Sequence, residues 1–166
     1  MATNVCIVED NEQLRTTLAK VLNRAEGYSC PSHYGSAEAA LAGLPNDKPQ
    51  VVLMDINLPG MNGVECVRRL KQILPETEVI MLTVYEDTEN IFNALAAGAS
   101  GYMLKRTPTS ELLAAIQQVL QGGSPMTAHI ARKVVLSFQK PAPTNEATAD
   151  LSPREREVLD CLSQGL

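Results

Sequence analysis

The chain has 166 residues, 45% of them hydrophobic and 20% charged, with a formal net charge of −5. That length and balance describe a soluble globular protein with one good core and a small appendage. The acidic sign argues against a basic face for nucleic acid and suits a site for a divalent cation.

Short apolar runs alternate with helical patterns up to about residue 121. NVCIV (4–8) reads as a buried strand, and Leu14, Leu18, Val21, Leu22 and Ala25 then fall on one helical face. YSCPSHY (28–34) is a weaker strand, and Pro31 places it at an edge. SAEAALAGL (36–44) is a short helix with Ser36 as its cap, and VVLMD (51–55) is the second strong strand. Val64, Val67, Leu70 and Leu74 mark a helix stopped by Pro75, EVIMLT (78–83) is a third strong strand, and a helix over 87–97 ends at Gly98. GYMLK (101–105) is the fifth strand, and a helix carrying Leu112, Leu113, Ile116, Val119 and Leu120 begins near Pro108 and ends at Gly122 and Gly123.

Five βα units with continuous apolar strands predict a doubly wound five-stranded parallel sheet with helices on both faces. This domain spans residues 1–123. Residues 124–150 form a linker with one amphipathic helix around Ile130, Val134, Val135 and Phe138, followed by the Pro- and Ala-rich KPAPTNEATAD. In the closing LSPREREVLDCLSQGL (151–166), Ser152, Pro153 and Glu155 form a capping box that opens a new helix. One helix cannot stand as a domain, so this segment reads as the start of a longer one.

No apolar run is long enough to span a bilayer, and MATNVCIVEDNEQLR lacks the pattern of a signal peptide. Cys6, Cys30, Cys66 and Cys161 are widely spaced with no C-x-x-C, which predicts reduced thiols in a cytoplasmic protein rather than a zinc site. His33 and His129 have no ligating companions and read as surface or packing residues.

The strand ends carry the chemistry. The first ends in Glu9 and Asp10, the third in Asp55, the fourth in Thr83 and the fifth in Lys105. In an open α/β sheet those ends meet at one crevice, bringing together three carboxylates, a hydroxyl and an ammonium. Clustered carboxylates repel unless a cation joins them, and Mg²⁺ takes oxygen ligands. A carboxylate is also a nucleophile for phosphoryl groups, which a lysine and a hydroxyl then stabilise. After Asp55, INLPGMNG turns at Pro59 and Gly60 and offers peptide groups to the same site.

VED (8–10), LMDINLPGMNG (53–63), MLT (81–83) and GYMLK (101–105), in this order and spacing, resemble the receiver domain of bacterial two-component response regulators. The tail resembles the opening of a LuxR-type helix-turn-helix domain, a pairing found in the NarL/FixJ class. The resemblance implies a flavodoxin-like sheet with strand order 2-1-3-4-5 and a phosphorylation-controlled switch rather than an enzyme. It makes Asp55 the phosphoacceptor for a sensor histidine kinase. Mg²⁺ would be held by Asp10, by Glu9 directly or through water, by Asp55, and by the Asn57 carbonyl. Thr83 and Lys105 would grip the phosphoryl group. Tyr102 would be the aromatic switch, turning inward as Thr83 moves toward the phosphate, and Asn57 and Tyr85 would tune the lifetime of the acyl phosphate. Phosphorylation would bias the surface around the fourth helix toward a partner or a homodimer. In the parent protein the output would be transcriptional. The recognition helix of the LuxR-type domain lies beyond this first helix, so DNA would be bound through the complete output domain and not by this chain.

Two other readings share some of these residues. A phosphatase of the haloacid dehalogenase kind uses an Asp nucleophile, but its D-x-D-x-T belongs on the first strand, which here offers only Glu9 and Asp10. A receiver that switches without phosphate would not need all of these side chains.

Overall fold

The structure, a computed structural model, describes residues 2–139. Strand β1 (Thr3–Val8) leads into helix α1 (Glu12–Arg24), followed by the two-residue strands β2 (Tyr28–Ser29) and β3 (His33–Tyr34). Helix α2 (Ala37–Asp47), strand β4 (Val51–Met54), helix α3 (Gly63–Ile73), strand β5 (Glu78–Thr83), helix α4 (Thr88–Ala97), strand β6 (Gly101–Leu104), helix α5 (Thr109–Leu120) and helix α6 (Ala128–Gln139) complete the order. The expected helix at 151–166 lies outside the described residues.

All pairings are parallel, in the order β2-β1-β4-β5-β6, with β3 also on β1. This is the anticipated order, with the second strand broken in two. Thr3 pairs with Tyr28 and Ile7 with His33, so the offset grows by one residue across Cys30–Ser32. Pro31, which has no N–H to give to a ladder, lies in that bulge at the sheet edge. The strands are buried on both faces. Cys6, Val8, Val52, Met54, Met81 and Tyr102 face one core cluster, with side chains of α2, α3, α4 and α6. Val5, Ile7, Leu53, Ile80 and Met103 face the other, under α1 and α5.

Helix starts follow their caps. The Asn11, Ser36, Asn62 and Asp87 side chains accept from the amides of Leu14, Ala39, Glu65 and Asn90. Helix α2 runs past the expected end at residue 44, with Pro45 inside its last turn. There the missing N–H costs one bond, and the Lys48 amide still closes onto Leu44 O at 2.8 Å.

One glycine fixes how the chain leaves β4. Gly63 N donates to Ile56 O at 2.8 Å, and a Cβ on Gly63 would stand 1.9 Å from the Asp55 carbonyl oxygen. That atom is backbone and cannot swing aside. Gly63→Ala is expected to cost about 1–3 kcal/mol or more of stability, as overpacking does, measured by urea denaturation. A midpoint equal to that of the parent chain would contradict this reading of the turn.

Candidate functional site

β1 and β4 are adjacent although the chain visits the edge strands between them, so the sheet changes direction there, and a crevice opens at their carboxyl ends. Glu9 and Asp10 follow β1 and Asp55 follows β4. The Asp55 amide donates to Val8 O and the Glu9 amide to Tyr34 O, both at 3.0 Å, so pairing continues up to the site. One carboxylate oxygen from each of Glu9, Asp10 and Asp55 lies within 4.8 Å of the others. Glu9 is 3% exposed and Asp55 5%, whereas Asp10 is exposed.

Two carboxylates this deeply buried need a counter-charge. Lys105, just past β6, provides it, with Nζ 2.5 Å from Glu9 Oε1 and 2.9 Å from Asp55 Oδ2. Burial opposes its charge, but the hydrogen bonds to Glu9 and Asp55 and their negative charges outweigh burial and raise its pKa above the ordinary lysine value. Among the described residues Asp10 makes no ion pair, and the Lys105 charge is the least of the influences on it. A hydrogen bond shared with Glu9, then desolvation and the Glu9 charge, raise its pKa above the usual carboxylate value. The cluster therefore carries more negative charge than one ammonium compensates. An all-oxygen set with an open, solvent-facing member fits a hard divalent cation that keeps part of its water.

The remaining expected residues connect to this group through hydrogen bonds. Asn57 is exposed, and its backbone N–H points at Asp55 Oδ1 from 3.4 Å. Thr83 is fully buried at the end of β5, and its carbonyl accepts from the Lys105 amide at 2.9 Å. Its hydroxyl accepts from the Tyr85 amide at 3.3 Å. Tyr102 is also fully buried and donates its hydroxyl to Tyr85 O at 2.9 Å. Burial, then the charges of Asp87 and Asp55, push its phenol pKa up. Tyr102 is thus turned inward here.

Several supporting residues carry no sequence signal of this role. Arg15 donates from Nη1 to the Glu9 carbonyl at 2.7 Å and from Nε to His33 Nδ1 at 3.0 Å. That carbonyl lies just past a strand, so its need for a donor is visible only in three dimensions. Glu38 accepts from the Met61 amide at 2.8 Å and holds the turn after Asp55, where Gly60 has φ +75°. Asn11 caps α1 through its side chain, and its amide also donates to Glu9 Oε2 at 3.1 Å. His33 is exposed, as expected, and Cys6, Cys30 and Cys66 are free and buried. Among the described residues no helix is long and apolar enough to cross a membrane.

Known proteins share the sequence and the fold of this chain. Response regulator UvrY of Escherichia coli is 30% identical over 162 residues, covering 98% of this chain and 74% of that protein. The DNA-binding transcriptional activator DevR/DosR of Mycobacterium tuberculosis is 32% identical, covering 98% and 75%. The crystal structure of a LuxR-family two-component response regulator from an Aurantimonas species superposes with a TM-score of 0.78 at 27% identity, covering 83% of this chain and 99% of that one. Residues 5–117 match the family described as response regulator receiver domain, and the chain belongs to that family.

Proposed function

We propose that Asp55 is the phosphoacceptor of a Mg²⁺-dependent receiver that a sensor histidine kinase phosphorylates, and that the modified receiver controls a transcriptional output domain. The observation that carries this reading is the Lys105 ammonium shared between buried Asp55 and buried Glu9 beside exposed Asp10. It sets a positive charge beside the Asp55 carboxylate in a nearly dry position, where a carboxylate nucleophile can act. An Asp55 oxygen attacks the phosphorus of a phosphohistidine, the P–N bond breaks, and the imidazole leaves with its electron pair. Lys105 then balances charge on the transferred group, and the Thr83 hydroxyl hydrogen-bonds to it. Mg²⁺, held by Glu9, Asp10, Asp55 and the Asn57 carbonyl, would neutralise the phosphoryl oxygens. Asn57 and Tyr85, two residues beyond Asp55 and Thr83, would govern the reaction of the acyl phosphate with water.

The product is a modified protein and not a released small molecule, so the chain acts as a switch rather than an enzyme. Tyr102 and Thr83, joined through Tyr85, are the residues by which phosphorylation would alter the α4 surface toward a partner or a second copy. A cytoplasmic location goes with a kinase-facing role, and DNA would be contacted through the complete output domain.

Intact mass after incubation with acetyl phosphate and Mg²⁺ tests the assignment. One added phosphoryl group is expected, absent in Asp55→Asn and absent without Mg²⁺. An unmodified chain, or an adduct that survives Asp55→Asn, would refute it. A second prediction concerns Lys105→Met. Removing one partner of a buried pair leaves uncompensated charge, so stability without divalent ions is expected to fall by about 3 kcal/mol. Mg²⁺ should raise the melting temperature of this variant more than that of the parent chain. Equal Mg²⁺ effects on the two proteins would show that Lys105 and the cation do not serve the same charges.

A further inference from the structure

The segment after α5 is built onto the receiver. Pro125 O accepts from the Tyr102 amide at 3.0 Å, the Thr127 amide donates to Tyr102 O at 3.2 Å, and Thr127 Oγ1 accepts from the Leu104 amide at 3.1 Å. Tyr102 and Met126 thus form one parallel bridge on the free edge of β6. Gly101 admits this approach, because a Cβ there would stand 2.7 Å from Pro125 O. Helix α6 then buries Ile130 completely and sets Phe138 edge-on to Phe92, with ring centroids 6.0 Å apart.

The same helix reaches the loop between Thr83 and α4. Lys133 Nζ donates to Glu86 O at 2.8 Å. The Glu86 carboxylate faces His129 Nε2 at 3.8 Å and Arg106 Nη2 at 2.8 Å. Tyr102 holds the preceding carbonyl, Tyr85 O, and the Tyr85 amide is bound to the Thr83 hydroxyl. Two consecutive loop carbonyls are therefore gripped, one from the sheet and one from α6. Val84, 66% exposed, adds little to holding the loop.

We propose that Lys133 is a positioning residue for phosphoryl transfer at Asp55, acting by fixing residues 84–87 and through them the Thr83 hydroxyl. The proposal rests on the function proposed above. Docking of α6 and occupation of the site are then linked, and the linkage is reciprocal. Releasing Lys133 loosens the loop, and phosphorylation tightens α6 on the receiver.

The test uses the full chain as Lys133→Met, which keeps the aliphatic stem, and Lys133→Arg, which keeps the charge and the donor. Phosphorylation by acetyl phosphate with Mg²⁺ is followed by intact mass, and amide hydrogen exchange is measured over 84–87 and 128–139. Lys133→Met is expected to be phosphorylated at least about fivefold more slowly, with faster exchange at 84–87 and little change in melting temperature. Lys133→Arg should restore both. A parent chain that is phosphorylated, with Lys133→Met matching its rate and exchange, overturns the role of Lys133 alone. A parent chain that takes no phosphoryl group overturns the proposed function, and this role falls with it.

Discussion

The ammonium of Lys105, held between two carboxylates that are almost fully buried, is the interaction on which the site depends. Glu9 and Asp55 come from neighbouring strands, and each could be buried only if the other's charge were answered. Lys105 comes from a third strand end, two places from β4 and three from β1, so the contact requires β1, β4, β5 and β6 to be in register at once. Backbone pairing that continues past the strands, from the Asp55 amide to Val8 O and from the Lys105 amide to Thr83 O, carries that register into the site. The remaining negative charge, concentrated on exposed Asp10, is what a divalent cation would offset.

The loops around this centre are held from outside it. Gly63 lets the chain fold back against the Asp55 carbonyl, and Glu38 holds the Met61 amide. Arg15 donates to the carbonyl of Glu9, just past the first strand. On the far side, Tyr102 and Lys133 hold successive carbonyls of the loop leaving Thr83. The centre is therefore stiff toward β1 and β4. Toward α4 it is joined to elements that reach the surface.

Much of this was legible in the sequence for a simple physical reason. Strands buried on both faces must be continuously apolar, so NVCIV, VVLM and VIML announce themselves, and the polar residue that ends each run marks the crevice. The Ser36 cap was visible because its function is local. The break in the edge strand was only half visible. Pro31 signals an edge, but the extra residue between Ser29 and His33 appears only from pairing with β1. The roles of Arg15, Glu38 and Lys133 were not legible, because each satisfies a backbone group whose need is created by the fold, and for Glu38 and Lys133 that group is also distant in sequence. Helix α6 was readable as amphipathic, yet nothing local showed that Ile130 would join the receiver core while Val135 and Leu136 stay 44% and 45% exposed.

If the strand-end carboxylates act together as one cation site, Mn²⁺, an oxygen-seeking stand-in for Mg²⁺, will broaden nearby backbone amide signals by paramagnetic relaxation. Amides at 9–11, 55–57 and 105 should broaden first, at Mn²⁺ well below one equivalent, and recover when Mg²⁺ is added. Broadening that begins instead at other acidic positions such as Glu86 and Asp87, or that excess Mg²⁺ does not reverse, would contradict that site.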